Sequence, residues 1–251
     1  MINTVTFNGV NFWEELGAAL SAPISYPIPA EIKELVKVKG ANGSLTEATG
    51  YYNNLEIEAK FKVLIGHGSA PEAQEFRTLK RKINQLFNGI IDNRLSFEEI
   101  PFKYYKVKTA GVGAVTRISN FEATFDVNFI CDPFLYSFDD APFESSSHTI
   151  KLEYDGDVPN SPIIEVITKG QGEIRISCNN SSLTFNMNGG PIFYINKNPY
   201  SIVVNENGEP VKSNGGDIVL RKGADNTITV GGVGRDQVAR VRIKKNERYL
   251  G

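Results

Sequence analysis

The amino-acid sequence predicts a mainly β protein with two domains. Apolar and polar residues alternate in many short segments, as they do in strands that are buried on one side only. One long segment has the apolar spacing of an amphipathic helix instead. The alternation stops around Asp140, among prolines, acidic pairs and serines, so we expect a boundary there between domains 1–140 and 141–251.

The first domain is expected to begin with strands in segments 1–7 and 35–39. Its clearest strand is 55–65, because every second residue there is apolar. The residues that share this face are Leu55, Ile57, Ala59, Phe61 and Val63. A helix is expected to start at Ser69, followed by Pro71 and Glu72 in the manner of a capping box. Its apolar residues recur every three or four positions until Asn88-Gly89 marks the end.

The first domain is then predicted to continue as a long antiparallel hairpin. Short strands are expected at 95–97 and 104–108. Gly111-Val112-Gly113 is interpreted as the turn, and the returning strand is expected over 116–130, where phenylalanines alternate with polar residues. Such a hairpin is long enough to reach beyond the body of the domain.

The second domain has a different pattern, with short strands separated by turn dipeptides such as Asp155-Gly156, Asn207-Gly208 and Asn214-Gly215. Closely spaced short strands are typical of a β-sandwich. The expected strands are 148–153, 163–168, 173–178, 182–187, 192–195, 200–205, 217–220, 226–230 and 237–244.

The charge balance argues against a general nucleic-acid or membrane binder. The 251 residues include 27 Lys and Arg and 29 Asp and Glu, a net charge of -2. Such a chain has no overall positive field to collect phosphates or anionic lipids. The first residues do not resemble a secretory signal, so we expect a soluble protein that is made in the cytoplasm.

We expect no catalytic, metal or cofactor site. Cys131 and Cys178 lie far apart with no CxxC pattern, and the chain has only two histidines, neither within a recognisable motif. Acidic pairs such as Glu98-Glu99 and Asp139-Asp140 place neighbouring side chains on opposite faces of a strand. A chain without convergent polar groups favours a scaffold over an enzyme.

Near the end of the chain, basic residues alternate with apolar ones. Arg240, Arg242 and Lys244 are separated by Val241 and Ile243, so the three cations are expected on one face of a strand. A solvated face is the ordinary interpretation, and a face that contacts a partner is the alternative.

Several stretches of the chain, taken in order, resemble one protein family. These are 36–45 with Tyr51-Tyr52, 95–97, 104–107, 121–136, 216–218, 223–230 and 248–250. Their order, over nearly the whole chain, is similar to that of the distal tail proteins of long-tailed phages and prophages that infect Gram-positive bacteria. The resemblance implies an N-terminal ring-forming domain, which is β-sandwich-like, and a C-terminal galectin-like β-sandwich.

The resemblance also implies a function and partners. The chain would form a homo-hexameric ring at the virion's tail tip, after assembly in the host cytoplasm, and DNA would pass through the lumen. Partners would be the tail tube protein, the tail-associated hub protein and, in many baseplates, receptor-binding or adaptor proteins. No sequence-specific nucleic acid, membrane or cofactor is implied. The hairpin is the expected ring interface, through Tyr104, Tyr105, Val107, Val112, Val115, Ile118 and Phe121.

Two other functions remain open at this stage. The second domain could bind carbohydrate, with Phe193, Tyr194 or Tyr200 as stacking platforms, although the only tryptophan, Trp13, lies outside it. A small glycan hydrolase would need two carboxylates or a metal ion that converge in a groove. Both alternatives depend on side chains that the fold must bring together.

Overall fold

A computed structural model of the protein describes residues 4–40, 42–65, 72–188, 192–197 and 200–250. The chain divides into two compact units, Met1–Tyr136 with Leu250–Gly251 and Ser137–Tyr249. The division falls after Tyr136, slightly earlier in the chain than the expected boundary at Asp140. Both units consist mainly of strands, which confirms the predicted fold class.

In the described part of the first unit, eight strands form one sheet and two more form a separate hairpin. The sheet order is β2-β1-β7-β8-β10-β6-β3, with β9 also paired to β10. The strands are β1 (Val5–Phe7), β2 (Val10–Asn11), β3 (Ala18–Leu20), β4 (Glu31–Lys37), β5 (Ser44–Tyr52), β6 (Leu55–Leu64), β7 (Arg94–Phe97), β8 (Lys103–Val112), β9 (Thr116–Arg117) and β10 (Glu122–Ser137).

The central pair of this sheet is β6 with β10. The two strands are antiparallel and in register from Leu64 opposite Glu122 to Leu55 opposite Cys131. Every second residue of β6 is buried, as predicted, and the residues opposite them on β10 are buried too. Directly opposed side chains lie on the same face of a sheet. The Phe61 and Phe125 rings consequently stack at 4.9 Å between centroids and form the middle of the core.

The predicted helix is confirmed as α2 (Glu72–Phe87). Leu79, Ile83 and Leu86 are buried, and the Phe87 ring lies 5.6 Å from that of Phe7 on β1. The helix therefore contributes its apolar side to the same core as β1. A shorter helix, α1 (Phe12–Leu16), was not predicted.

Helix α1 begins and ends at residues suited to those positions. The Asn11 side chain accepts hydrogen bonds from the backbone nitrogens of Trp13 and Glu14, and Gly17 ends the helix with φ of 63°. Phe12 packs against Phe61, with 5.0 Å between ring centroids. These two capping residues, rather than any apolar periodicity, specify this short helix.

The long hairpin is present, but the predicted turn is wrong. Gly111 and Val112 belong to β8, and the chain turns after β9, where the nitrogens of Ile118 and Ser119 both donate to the Glu122 oxygen. Gly111 and Gly113 do not have the positive φ that would make glycine necessary. The expected strand 116–130 is accordingly two strands, β9 and β10.

The second unit is a sandwich of two sheets. Its strands are β11 (Phe143–Ser145), β12 (Thr149–Leu152), β13 (Ile163–Thr168), β14 (Gln171–Cys178), β15 (Ser181–Asn188), β16 (Ile192–Lys197), β17 (Tyr200–Asn205), β18 (Ser213–Gly215), β19 (Asn226–Gly231) and β20 (Val238–Lys244). Among described residues, the sheet orders are β11-β20-β13-β16-β17 and β12-β19-β14-β15-β18. One apolar cluster contains Ile164 and Val241 of the first sheet and Ile176 and Phe185 of the second, which makes the two sheets faces of one core.

Most strands predicted for this unit are confirmed, with one exception around residue 215. Segment 217–220 is not a strand, and Asn214-Gly215 is part of β18 instead of a turn. Gly215 has φ of 130°, and a Cβ there would lie 2.1 Å from the Ser182 oxygen on β15. The glycine therefore permits close strand pairing, not reversal of the chain.

Truncating either stacked ring at the centre of the first core should destabilise that unit strongly. We expect Phe61→Ala to lower the free energy of unfolding by about 3–5 kcal/mol, because it leaves a cavity beneath Phe125. The fluorescence of Trp13, the single tryptophan, reports this unit during urea unfolding. The exposed neighbour Lys60 is the control, since Lys60→Ala should change the value by less than about 0.5 kcal/mol.

Candidate assembly surfaces

Two of the predicted interface residues on the hairpin face the interior of their own unit. Tyr105 and Val107 on β8 are 1% and 3% exposed. Their burial raises the pKa of the Tyr105 hydroxyl to about 12. Side chains so enclosed are unavailable to a neighbouring subunit, so these two assignments are corrected to core residues.

Tyr104, on the opposite face of β8, is half-buried and stacks on Tyr136 with 5.9 Å between ring centroids. The Lys106 ammonium lies 3.7 Å from the centre of the Tyr136 ring, and the Arg94 guanidinium lies 6.0 Å from that of Tyr104. Cations over aromatic faces are attracted by the ring quadrupole. Tyr104 is thus held within its own sheet by neighbours on both sides.

The exposed part of the hairpin is its turn. Ile118 and Phe121 are 60% and 61% exposed, whereas Val112 and Val115 are half-buried. The end of β6, which carries Leu64, adjoins this turn, because the Ile65 nitrogen donates to the Phe121 oxygen at 2.8 Å. Leu64 is also about half-exposed. We call Leu64, Ile118 and Phe121 the tip patch.

A larger exposed surface lies on the hairpin of β4 and β5, which we call the arm. Among the described strands, these two pair with each other alone, with Val36 opposite Leu45. Leu35 and Leu45 are 72% and 63% exposed, and further exposed apolar residues of the arm are Ile32, Val36, Val38 and Tyr51. A two-stranded hairpin alone is only marginally stable in water, so an arm of this kind is suited to a partner.

Sequence reasoning predicted a strand in the arm but missed its exposure. Alternation shows which residues share a face, but not whether anything covers that face. One signal was available: apolar residues occur at consecutive positions, Leu35 and Val36, and therefore on both faces of β4. A strand with apolar residues on both faces needs cover on both.

The edge of β6 is also partly open. Along its whole length β6 pairs with β10, but on its other side it pairs with β3 only at Phe61–Val63. The Ser21 nitrogen continues this pairing to the Lys60 oxygen at 2.9 Å. For residues 55–59, no strand of the described chain occupies that side. An unpaired strand edge can accept a strand from another molecule.

The three basic residues of β20 lie on one face, as predicted, with Val241 and Ile243 buried beneath. The Glu144 carboxylate accepts from Arg240 Nη1 at 2.9 Å and from Arg242 Nε at 2.5 Å. Those hydrogen bonds, the one from Arg242 first, hold the pKa of Glu144 below its usual value. Lys244 pairs with Asp140 at 3.4 Å. This face is therefore a network of both signs of charge, not a basic surface.

Three of the side chains considered for catalysis, those of Glu98, Glu99 and His148, have structural partners, and His67 lies outside the described residues. Glu98 accepts from the Thr4 nitrogen and hydroxyl, and Glu99 accepts from the Tyr26 hydroxyl at 3.2 Å. His148 Nε2 lies 3.1 Å from the Arg235 oxygen. Among the described residues, no three His, Cys, Asp or Glu side chains are grouped as metal ligands would be. Likewise, no helix in the described part of the chain is long and apolar enough to span a membrane.

Comparison with solved structures decides the fold. Over 100% of both chains, the protein superposes on the Dit protein (gp 19.1) of SPP1 with a TM-score of 0.66 and 15% sequence identity. The chain has the Dit fold. That protein is described as a paradigm of the hub adsorption apparatus in phages that infect Gram-positive bacteria. No family model matches the chain, and no curated protein matches it.

Both cysteines should be unreactive in the folded protein. Cys131 is fully buried, and burial, followed by the nearby charge of Asp132, raises the pKa of its thiol to about 12. Burial also raises the pKa of Cys178. Because the thiolate is the reactive form, a disulfide reagent at pH 8 should label neither residue until denaturant is added. Rapid labelling of one thiol in native protein would contradict this burial.

Proposed function

We propose that the chain is a non-enzymatic structural protein of a phage tail tip, which self-assembles into a ring between the tail tube protein and the tail-associated hub protein. The observation that carries the proposal is the exposed arm, on a chain that shares its entire fold with a phage hub protein. Each further step is argued from surfaces of the first unit.

The arm and its binding surface lie on different parts of the same chain. The arm supplies exposed apolar side chains and two strands, whereas the tip patch and the open edge of β6 supply apolar contacts and free backbone groups. A contact between unlike surfaces is heterologous, and repeated heterologous contacts close into a ring when the rotation between subunits permits it. A second copy of this chain is therefore the partner that we assign to the arm.

The hairpin contributes to the proposed interface through its exposed turn. Of the hairpin residues that the sequence predicted at the interface, we keep Ile118 and Phe121. Val112 and Val115 are half-buried and support them. Tyr104 is held by its own sheet. Interface residues are drawn from the same apolar and aromatic types as core residues, so exposure is what separates the two groups here.

The remaining partners follow from a ring in this position. We propose six copies, with DNA passing through the lumen and receptor-binding or adaptor proteins at the rim. The near balance of charge supports this arrangement, because a chain with net charge -2 does not grip phosphate as a basic channel would. We place the assembled ring in the virion, after assembly in the host cytoplasm.

Light scattering of the purified chain over a concentration series tests the ring directly. We expect a species of six times the 27.7 kDa chain mass, in equilibrium with smaller species at low concentration. A single monomeric mass at every concentration would contradict self-assembly through the arm.

Polar substitutions in the arm should weaken the ring without unfolding the chain. Leu35→Ser and Leu45→Ser together remove the two most exposed apolar side chains of the arm. If each of these two side chains contributes more than about 1 kcal/mol to the free energy of association, the double variant should weaken association by about 30-fold or more. Val233→Ser, at a 91% exposed position in the second unit, is the matched control and should leave association unchanged.

Mixing variants distinguishes a heterologous contact from a symmetric one. The arm variant keeps an intact tip patch, and Phe121→Ser keeps an intact arm. Equal amounts of the two should form a mixed dimer with one functional contact and no ring. Rings that form as readily from the mixture as from the unaltered chain would contradict the pairing of arm with tip patch.

A further inference from the structure

The outer face of the second unit has a groove where β11, β20 and β13 lie side by side. Its volume is about 240 Å³, and it is lined by Pro142, Glu144, Ile163, Glu165, Arg242 and Lys244. We call it the charged groove. No step of the proposed ring assembly uses this face.

The polar groups of the charged groove form one row across three strands. Glu144 lies opposite Arg242, and Arg242 lies opposite Glu165, so acceptor, donor and acceptor follow one another at the spacing of adjacent strands, about 4.8 Å. Arg242 donates from Nε to Glu144 at 2.5 Å and from Nη1 to Glu165 at 3.4 Å. The row is therefore held in place before any ligand arrives, which reduces the entropy lost on binding.

These contacts leave hydrogen-bonding capacity for a ligand. A guanidinium carries five N–H donors, and an ionised carboxylate has about four acceptor positions. In the contacts above, Arg242 uses Nε and Nη1, and Glu165 accepts at one oxygen. The Arg242, Glu144 and Lys244 side chains are between 37% and 44% exposed, so a molecule in solution can reach them.

The charges in the lining select the class of ligand. Two carboxylates and two cations cancel, so the groove as a whole attracts neither an anion nor a cation. Closely spaced donors and acceptors suit hydroxyl groups, since each hydroxyl both donates and accepts. Pro142 and Ile163 add apolar contact for the C–H face of a ring.

We propose that the charged groove binds one neutral monosaccharide unit of a glycan. The volume is below the roughly 300 Å³ at which pockets for drug-sized ligands begin, so the groove itself holds a single sugar ring. The strand register places Phe193 opposite Glu165, next along the row, so a longer glycan would extend toward β16. The aromatic residues expected to stack on a sugar are Phe193, Tyr194 and Tyr200. The side chains of all three lie outside the described part of the structure.

The test is a titration of the full chain with the methyl glycosides of glucose, galactose and N-acetylglucosamine, followed by NMR of the arginine side-chain Nε–H signals. We expect a saturable shift of the Arg242 signal with at least one of them, with a Kd in the millimolar range. Glu165→Gln keeps the shape of the groove but removes an acceptor charge, and it should weaken binding about tenfold. Glu144→Gln provides a second, independent variant with the same expectation.

Lys151→Gln is the matched control, because Lys151 lies on β12, in the other sheet of the same unit, and forms an exposed ion pair with Asp225. It should bind sugar as the unaltered chain does. No shift with any of the three glycosides at about 100 mM would overturn the proposal. Binding by Glu165→Gln and Glu144→Gln that is as tight as binding by the unaltered chain would also overturn it, as would a shift with inorganic phosphate that matches the sugar response. None of these results depends on ring formation, which light scattering tests separately.

Discussion

The pairing of β6 with β10 is the constraint on which the first unit depends. Over the whole of β6 it aligns two alternating patterns, so that the buried residues of β6 from Leu55 to Val63 lie on one face with the residues opposite them on β10. Because side chains alternate with a period of two, a shift by one residue would turn every one of them toward water. Helix α2, β1 and α1 pack on that apolar face through Phe87, Phe7 and Phe12, and none of them would have a surface to contact without it.

The same pairing determines which surfaces are left for assembly. Strand β10 is enclosed by β6 on one side and by β8 and β9 on the other, so its edges are used. Strand β6 has an open edge because β3 is short. The arm ends at Tyr52, just before β6 begins at Leu55, so the proposed donor and acceptor surfaces both adjoin the pair of β6 and β10.

Local patterns in the sequence predicted the regular parts of this fold. They failed where the structure depends on contacts between residues that are far apart in the chain. The alternation of apolar and polar residues was sufficient to predict β6, and the helical spacing of apolar residues was sufficient to predict α2, because each pattern reflects one buried face. Glycines misled the interpretation at Gly111 and Gly215, since both lie in strands. Tyr105 was assigned to an interface because burial inside a subunit and burial between subunits favour the same residue types. The ion pairs of Arg242 could not be predicted, since its partner Glu144 lies 98 positions away in the chain.

In the second unit, the first strand and the last strand are neighbours. Strand β11, which follows the entry at Ser137, pairs with β20, which precedes the exit after Tyr249. Both ends of the unit thus lie beside each other at one edge of a sheet, in the manner of a cassette. A recombination event could exchange that cassette for another with adjacent ends while the first unit keeps its sequence.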